Sequence, residues 1–477
     1  MRQSELSYRH IDWVIVICYL LLTFFGWINI YASSFSEEAS GMLNLGTKAG
    51  MQFIWISISI GVACALIFFI NPRWYLSTTW LLYLGVLILL VGVLVFGKEV
   101  NGSKSWFSLG SVSFQPSELS KITTSLGLAT VMSHYNFKIN RWHDLLKVLL
   151  ILGIPAGLII LEPEMGTILV YVGFLFVLYR EGLTGWIIFF LGLVILLFIL
   201  TLKFSPFVSM LVLLGIFGLL RGGQARQPLI CIPGYLIAIV LLAFLPRLIT
   251  LPWLAPLAEM GSDLLMALLL SAFCLYWIVR LIRRKEKKMK WFVGGLIASL
   301  ILIFCVEFIF DKVLQPHHQA RIENLLGIRD DPHGIGYNVN QSMIAIGSGG
   351  FSGKGFLEGT QTKFKFVPEQ STDFIFCTVG EEWGFLGSFG LLAVFFILIT
   401  RLLITAERQK EASIRIYGYC VAAIFFMHIL INIGMTIGLM PVIGIPLPLI
   451  SYGGSSLLAF TVLLFMYVRM DLERWRR

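Results

Sequence analysis

Trp13-Val-Ile-Val-Ile-Cys-Tyr-Leu-Leu-Leu-Thr-Phe-Phe-Gly-Trp-Ile-Asn-Ile-Tyr-Ala32 runs for twenty residues without a charge. One membrane crossing takes roughly 20 predominantly apolar residues. The block is too long for the apolar part of a cleaved leader and ends without a small-residue cleavage site, so it reads as a first span. Similar blocks recur at 51–70, 77–97, 116–133, 145–161, 167–180, 183–203, 204–220, 228–245, 262–282, 291–310, 384–404, 416–436 and 448–468. Of these, 116–133 carries Glu118 and Lys121, and 167–180 and 204–220 are short. The whole chain is 57% hydrophobic and only 13% charged, with a mean hydropathy of +0.85. A soluble enzyme, a disordered chain and a collagen-like fibre are excluded. The apolar residues are continuous, not alternating as in a membrane barrel, so the spans are helices. The expectation is an all-α polytopic membrane protein with about fourteen transmembrane helices.

Lys and Arg set the orientation. With the N-terminus in the cytoplasm, 24 of the 36 basic residues fall in cytoplasmic segments. The C-terminus is then cytoplasmic too, and the chain is a multi-pass protein of the plasma membrane. The most basic run, Arg283-Arg284-Lys285 with Lys287, Lys288 and Lys290, reads as an anchor on an anionic leaflet. The net charge of +9 has the same explanation and implies no nucleic-acid partner. The seven cysteines are odd in number and form no C-x-x-C pair, and the histidines show no H-E-x-x-H spacing. Disulfides and a zinc-protease site therefore have no support.

Polar character gathers in three places, 98–118, 311–383 and 437–455, and span parity puts all three outside the cytoplasm. The long extracytoplasmic loop 311–383 reads Arg321-Ile-Glu-Asn-Leu-Leu-Gly-Ile-Arg-Asp-Asp331-Pro-His-Gly-Ile-Gly-Tyr337, then Gln341-Ser-Met-Ile-Ala-Ile-Gly-Ser-Gly-Gly-Phe-Ser-Gly-Lys-Gly355 and Gly359-Thr-Gln361. It closes with Val367-Pro-Glu-Gln-Ser-Thr-Asp-Phe-Ile-Phe376 and Glu381-Glu382. Nine glycines between Gly327 and Gly359 permit tight turns and close backbone approach to a ligand. A loop of this length in a compact protein is functional or disordered, and its phenylalanines argue for function.

These residues resemble the RodA/FtsW/SpoVE family of cell-shape, division and sporulation proteins, polytopic peptidoglycan glycosyltransferases. The resemblance rests on Trp106 with Gln115-Pro-Ser-Glu-Leu-Ser-Lys121, on Glu162-Pro-Glu-Met-Gly-Thr167, on the long loop, and on Pro446-Leu-Pro-Leu-Ile-Ser-Tyr-Gly-Gly-Ser-Ser456. It covers the chain except about 183–290. Gly353-Lys-Gly355 with Gly359-Thr-Gln361 is closer to the elongation branch, RodA, than to the division branch, FtsW.

The resemblance implies a reaction and a set of residues. Lipid-linked disaccharide units are joined into glycan strands: an acceptor hydroxyl attacks an anomeric carbon and undecaprenyl diphosphate leaves. Asp331, directly before Pro-x-Gly-x-Gly-Tyr, stands at the family's catalytic position and is the general-base candidate. Pro332 restricts its backbone to an extended conformation. Asp330 is the lesser candidate, and the upstream Asp-Pro often found in the family is replaced by Gly327-Ile328. Substrate contacts are implied for Trp106, Glu118, Lys121, Gln341, Lys354, Glu369, Asp373 and Ser451. Glu118 and Lys121 share a helix face, and an internal ion pair accounts for them equally well. Trp106 suits sugar stacking or an interfacial anchor. Lys354, Lys363 and Lys365 are candidates for the diphosphate, with a solvated face the better account of the last two. Asn432 reads as a helix–helix hydrogen bond or a cavity residue. Ser371 stands where the family usually has His, and Glu162 and Glu164 replace its usual Gln and Asp. The departing diphosphate calls for positive charge or a divalent cation such as Mg or Mn. The implied partners are the lipid-linked precursor, the bilayer and a class B penicillin-binding protein, a transpeptidase.

Family members usually have ten spans, so 183–203, 204–220, 228–245 and 262–282 read as four inserted ones. The expected organisation is an N-terminal membrane core (1–182), an inserted segment with a basic cytoplasmic loop (183–290) and a C-terminal core (291–477). Two rivals to a polymerase are a flippase or transporter and a non-catalytic scaffold for a transpeptidase. No internal repeat with interrupted helices supports the transporter.

Overall fold

The computed structural model describes residues 10–35, 41–100, 103–109, 112–223, 228–248, 261–284, 287–308, 310, 312, 314, 316–328 and 336–476. Each of the fourteen apolar segments expected from sequence contains helix, the last of them only from Gly454 onward. Among the described residues nine helices are long and apolar enough to cross a membrane, and four shorter apolar helices accompany them. The protein is a polytopic helical membrane protein.

The chain separates into two compact units, 1–183 with 332–477, and 184–331. In chain order the first unit opens with α1 (Trp13–Ser34), α2 (Lys48–Phe68), α3 (Pro72–Ser77) and α4 (Thr79–Phe96). A small antiparallel sheet follows, β1 (Lys98–Val100), β2 (Ser103–Leu109) and β3 (Val112–Phe114). The all-helical expectation missed it. Its signals are short: the dipeptides Asn101-Gly102 and Gly110-Ser111 sit where two-residue hairpin links are favoured. Next come α5 (Pro116–Met132), α6 (Trp142–Leu161), α7 (Met165–Val172) and α8 (Phe174–Arg180).

The second unit holds α9 (Gly185–Lys203), α10 (Pro206–Gly223), α11 (Pro228–Ala243), α12 (Leu245–Leu248), α13 (Gly261–Arg284), α14 (Lys287–Phe308) and α15 (Pro316–Leu326). Its core includes Leu197, Met210, Leu213, Leu270 and Leu296. The sequence placed residues from 291 onward with the C-terminal core. Instead α14 packs on α9 and α10 and shares their core, so this unit runs to 331. The first unit resumes with α16 (Tyr337–Ser348), α17 (Thr360–Lys363), α18 (Ile375–Glu407), α19 (Ala412–Thr436) and α20 (Gly454–Asp471).

Lipid is as apolar as a leucine side chain, so burial marks the helices that other helices surround. The apolar windows of α19 and α20 are 78% buried, against 28% for α2, α4 and α6. One of the weak span candidates, 116–133, is the most enclosed of the long helices among the described residues. Nearly every residue of α5 is buried, and it packs on α4, α6, α19 and α20. Several of its polar side chains find partners: Ser120 Oγ donates to Ser117 O (2.6 Å), Ser125 Oγ to Lys121 O (2.7 Å), and Tyr171 Oη on α7 to Ser120 Oγ (3.0 Å). Low hydropathy here reports a protein-facing helix, where polar groups can find partners.

α18 is broken at Gly384 (φ 62°, ψ −157°), a conformation essentially confined to glycine. In a membrane protein such a break requires other partners for the freed backbone groups. The glycine-rich loop supplies them. Lys354 N–H donates to Glu381 O (3.0 Å) and Gly355 N–H to Glu382 O (3.1 Å). In return Phe385 N–H donates to Gly350 O (2.9 Å) and Leu386 N–H to Phe351 O (3.1 Å). Gly353 sits so close that a Cβ there would run into Glu382's carbonyl, and a Cβ on Gly384 into the amide of Gly353. This part of the glycine pattern therefore serves backbone-to-backbone approach within the chain.

Gly384→Ala forces a non-glycine residue into this conformation and a methyl group into a backbone amide. It should destabilise the protein by about 2 kcal/mol or more. Gly61→Ala, with open space at its Cβ, should have little effect. Thermal unfolding of the two variants in detergent checks this, with a marked loss of Tm expected only at 384.

Candidate functional site

The first turn of α5 places Glu118 and Lys121 three residues apart, 5% and 2% exposed. Lys121 Nζ lies 2.9 Å from Glu118 Oε1 and 2.8 Å from His428 Nε2 on α19. His428 Nδ1 is 3.3 Å from the carbonyl oxygen of Pro446. A carbonyl only accepts, so Nδ1 carries the hydrogen and Nε2 is left to accept from the ammonium. The ring of Phe460 completes the enclosure, 5.2 Å below Lys121 Nζ and edge-on to the imidazole at 4.8 Å. An isolated ammonium in this setting would cost several kcal/mol or more, so the partner set is a condition of folding. Sequence reasoning missed His428. Its one signal was position: it lies four residues before Asn432, one helical turn away on the same face of α19.

Asn432 spans two loops. Its Nδ2 donates to Asp373 O (2.8 Å) and Ile445 O (2.6 Å). Ser451 Oγ donates to Thr372 O (2.5 Å) and accepts from Leu447 N–H (2.8 Å), and Tyr452 N–H donates to Ser371 O (2.8 Å). Lys48 Nζ, from the start of α2, donates to Ser371 Oγ (2.8 Å). Residues 371–373 are thus fixed from three sides. Burial, with Glu369's charge adding to it, pushes the Asp373 carboxyl up to about 6. Glu369 itself is exposed, has φ 52°, and accepts from Thr372 Oγ1 (3.0 Å).

Between α6 and α7, Glu162 is fully buried and neither of its oxygens has a hydrogen-bond partner among the described residues. Burial, reinforced by Glu164, raises its pKa to about 8. Burial also raises Glu164, opposed by a 2.5 Å hydrogen bond from Thr167 Oγ1. The charges of Glu118 and Lys121 act on Glu164. The next turn packs tightly on the residues just before the fourth signature, with Gly166 against Ile445 and Ile443.

Lys354 meets Glu381 at 2.8 Å. That buried carboxylate also accepts from the N–H groups of Gln361 (2.9 Å) and Thr362 (2.8 Å) and from Thr362 Oγ1 (2.8 Å). Lys354 therefore helps hold the loop to the break in α18. Trp106 lies half-buried on β2 opposite Lys98, and Gln341 half-buried on α16. Asp330 and Asp331 lie outside the described residues. The structure thus gathers Glu118 and Lys121, whose charges act on Glu164, in one group and Glu369, Asp373 and Ser451 in a second. His428 and Asn432 connect the two groups, one turn apart. Among the described residues no three His, Cys, Asp or Glu side chains are grouped to hold a metal ion.

The family model described as cell cycle protein, FtsW/RodA/SpoVE, matches residues 12–215 and 238–475. Within the stretch read from sequence as inserted, only 216–237 stays unmatched. The chain is 30% identical over 456 residues to peptidoglycan glycosyltransferase RodA of Treponema pallidum, covering 94% of each chain. It is 29% identical to peptidoglycan glycosyltransferase MrdB of Escherichia coli K12, covering 94% of this chain and 90% of the relative. Its fold is similar to a chain in a structure described as "Structural coordination of polymerization and crosslinking by a peptidoglycan synthase complex", with a TM-score of 0.60 at 23% identity over 98% of this chain and 99% of that one. A second similar fold is the rod shape determining protein RodA of Thermus thermophilus, with a TM-score of 0.53 at 21% identity over 98% and 99%.

The raised pKa of Glu162 has a consequence for stability. A carboxyl raised from 4.5 in the unfolded chain to about 8 when folded favours the native state only while protonated. Its contribution is fully present below pH 4.5 and is lost as pH rises through 8. Glu162→Gln removes the titration and keeps the size. The Tm of Glu162→Gln minus that of the wild type should therefore grow between pH 5 and pH 8.5, and a pH-independent difference would refute it.

Proposed function

Since the chain belongs to the FtsW/RodA/SpoVE family, we propose that it is a peptidoglycan glycosyltransferase that polymerises lipid-linked disaccharide-pentapeptide into glycan strands for cell elongation. The observation that carries this reading is the end-to-end match, 94% of each chain, to a relative named for that activity. In the reaction an acceptor hydroxyl oxygen bonds to the anomeric carbon of the growing strand. The carbon–oxygen bond to the diphosphate breaks, and undecaprenyl diphosphate departs with the electron pair. Asp331 takes the hydroxyl proton. Glu118, Lys121, Glu369, Asp373 and Ser451 line or support the substrate site, with Trp106, Gln341 and Lys354 at its margin. A cation such as Mg or Mn would be held chiefly through the substrate's phosphates and one or two carboxylates. The partner is a class B penicillin-binding protein, a transpeptidase. The synthase complex named for the similar fold supports a partnered enzyme. The protein lies in the bacterial plasma membrane with both termini cytoplasmic and the loop 311–383 outside.

Two experiments test this. Asp331→Asn keeps shape and removes the base. Strand polymerisation on lipid-linked disaccharide-pentapeptide should fall on the order of a hundred- to ten-thousand-fold, while Asp330→Asn costs far less. Full activity in Asp331→Asn, or equal losses in both, removes Asp331 from its role. For orientation, a cysteine replacing the exposed Lys363 should react with an impermeant thiol reagent in whole cells, and one replacing Lys410 should not. The reverse pattern overturns the orientation.

A further inference from the structure

Beside the fixed segment 371–373 lies a groove of ≈ 420 Å³, within the range of small-ligand sites. Its walls come from three places: the end of α1 (Ser33, Ser34), the entry to α2 (Thr47, Lys48), and the stretch from Lys365 to Ser371. Among the described residues two lysines and one carboxylate line it, Lys48, Lys365 and Glu369, so that lining is net positive. Thr47 caps α2 by accepting from Gly50 N–H (3.2 Å), so the amide-rich start of a 21-residue helix opens at the groove. Helix starts of this kind carry partial positive charge and uncommitted N–H donors.

A helix start and lysines alone do not make a binding site. Gln370 adds the observation that does. It lines the groove and is 5% exposed. Its Nε2 is held by Ser33 O and Thr362 O, each at 2.9 Å. Its Oε1 is buried with no hydrogen-bond partner among the described residues. A pinned, buried acceptor without a donor costs about 1–3 kcal/mol. The groove also carries two non-glycine residues in left-handed backbone conformations, Lys365 (φ 56°) and Glu369 (φ 52°). The two features needed here, cations with helix amides and one unpaired acceptor, suit an oxyanion joined to a hydroxyl-bearing group.

Resting on the polymerase reading above, we propose that this groove is a subsite for the diphosphate end of a lipid-linked sugar. Lys365, Lys48 and the α2 amides take the phosphate oxygens, and Gln370 Oε1 accepts from a sugar hydroxyl. Lys48 already joins the groove to Ser371, two residues from Asp373, so a ligand seated here presents its sugar toward the site. The stem peptide's carboxylates share the oxyanion chemistry and are the competing source.

The test uses the full-length chain in detergent and reads binding without turnover. Undecaprenyl diphosphate is the first probe, and phosphate-free disaccharide-pentapeptide the second. The exposed Lys365, changed to Met, should weaken undecaprenyl diphosphate about tenfold, one charge-assisted hydrogen bond. Lys365→Arg should restore it, and the second probe should be unaffected. In strand synthesis the KM for lipid-linked disaccharide-pentapeptide should rise by the same factor with kcat within about twofold. Unchanged undecaprenyl diphosphate binding in Lys365→Met overturns the proposal, as does a loss confined to the phosphate-free probe, which would give the groove to the peptide. Wild-type protein that binds undecaprenyl diphosphate through Lys365 yet makes no strands would sink the polymerase reading and uphold the groove.

Discussion

An ammonium group enclosed by membrane helices has no water to fall back on, and the arrangement around Lys121 answers that constraint. Its partners come from α5, α19 and α20: Glu118 at 2.9 Å, His428 at 2.8 Å and the face of Phe460. The imidazole can accept from Lys121 only if its other nitrogen donates, which ties the tautomer to Pro446 O in the fourth signature. Packing three helices and setting one proton are therefore the same event. Loss of any partner would leave a buried charge or a buried acceptor unmatched, which is costlier than never having buried the pair. That explains why so polar a helix as α5 can occupy the middle of the bundle.

The same accounting governs the backbone. α18 gives up its helical ladder at Gly384, and the loop at 350–355 restores every hydrogen bond named at that break. Glu381 then holds the loop from the side-chain direction through Lys354, Gln361 and Thr362. Backbone and side-chain bonds close on one another, so a loop rich in glycine becomes a rigid element. A functional residue mounted next to such an element is positioned with less entropy left to lose on binding.

Much of this was legible in the sequence, and the exceptions have identifiable causes. The spans were readable because most are long apolar blocks with few charges, and α5 was readable as a span of mixed character because Glu118 and Lys121 interrupt it. The sheet at 98–114 was not, since three to seven residues carry too little alternation to separate from a polar loop. Glycine density was read as close backbone approach to a ligand, whereas at Gly353 the close approach is to the chain's own helix break. Lys354 read as a phosphate ligand because its partner, Glu381, is 27 residues away. A lone histidine in an apolar span looks like packing, which hid His428. For Asn432 the expected helix–helix bond became two bonds to loop carbonyls, because its end of α19 faces residues 373 and 445.

The far ends of the same helices are held differently. There Asp12, before α1, meets Arg401 on α18 at 2.9 Å and Arg408 at 3.3 Å, and Arg408 meets Asp471 on α20 at 2.9 Å. The carboxylates of this chain of ion pairs are buried while the guanidiniums remain partly exposed. Arg401 Nε meets both oxygens of Asp12 (3.0 and 2.9 Å), Arg408 Nη2 bridges Asp12 and Asp471, and an Arg side chain never loses its charge. A helix of 22 residues spans about 33 Å, so α1 carries this anchor at one end and the groove's Ser33 and Ser34 at the other. With α1, α18 and α20 joined by ions at one end, cohesion at the opposite face does not rest on every polar group there. Its polar groups are free to be arranged for binding, including arrangements such as Gln370 Oε1 that leave a buried acceptor open at a cost to the fold.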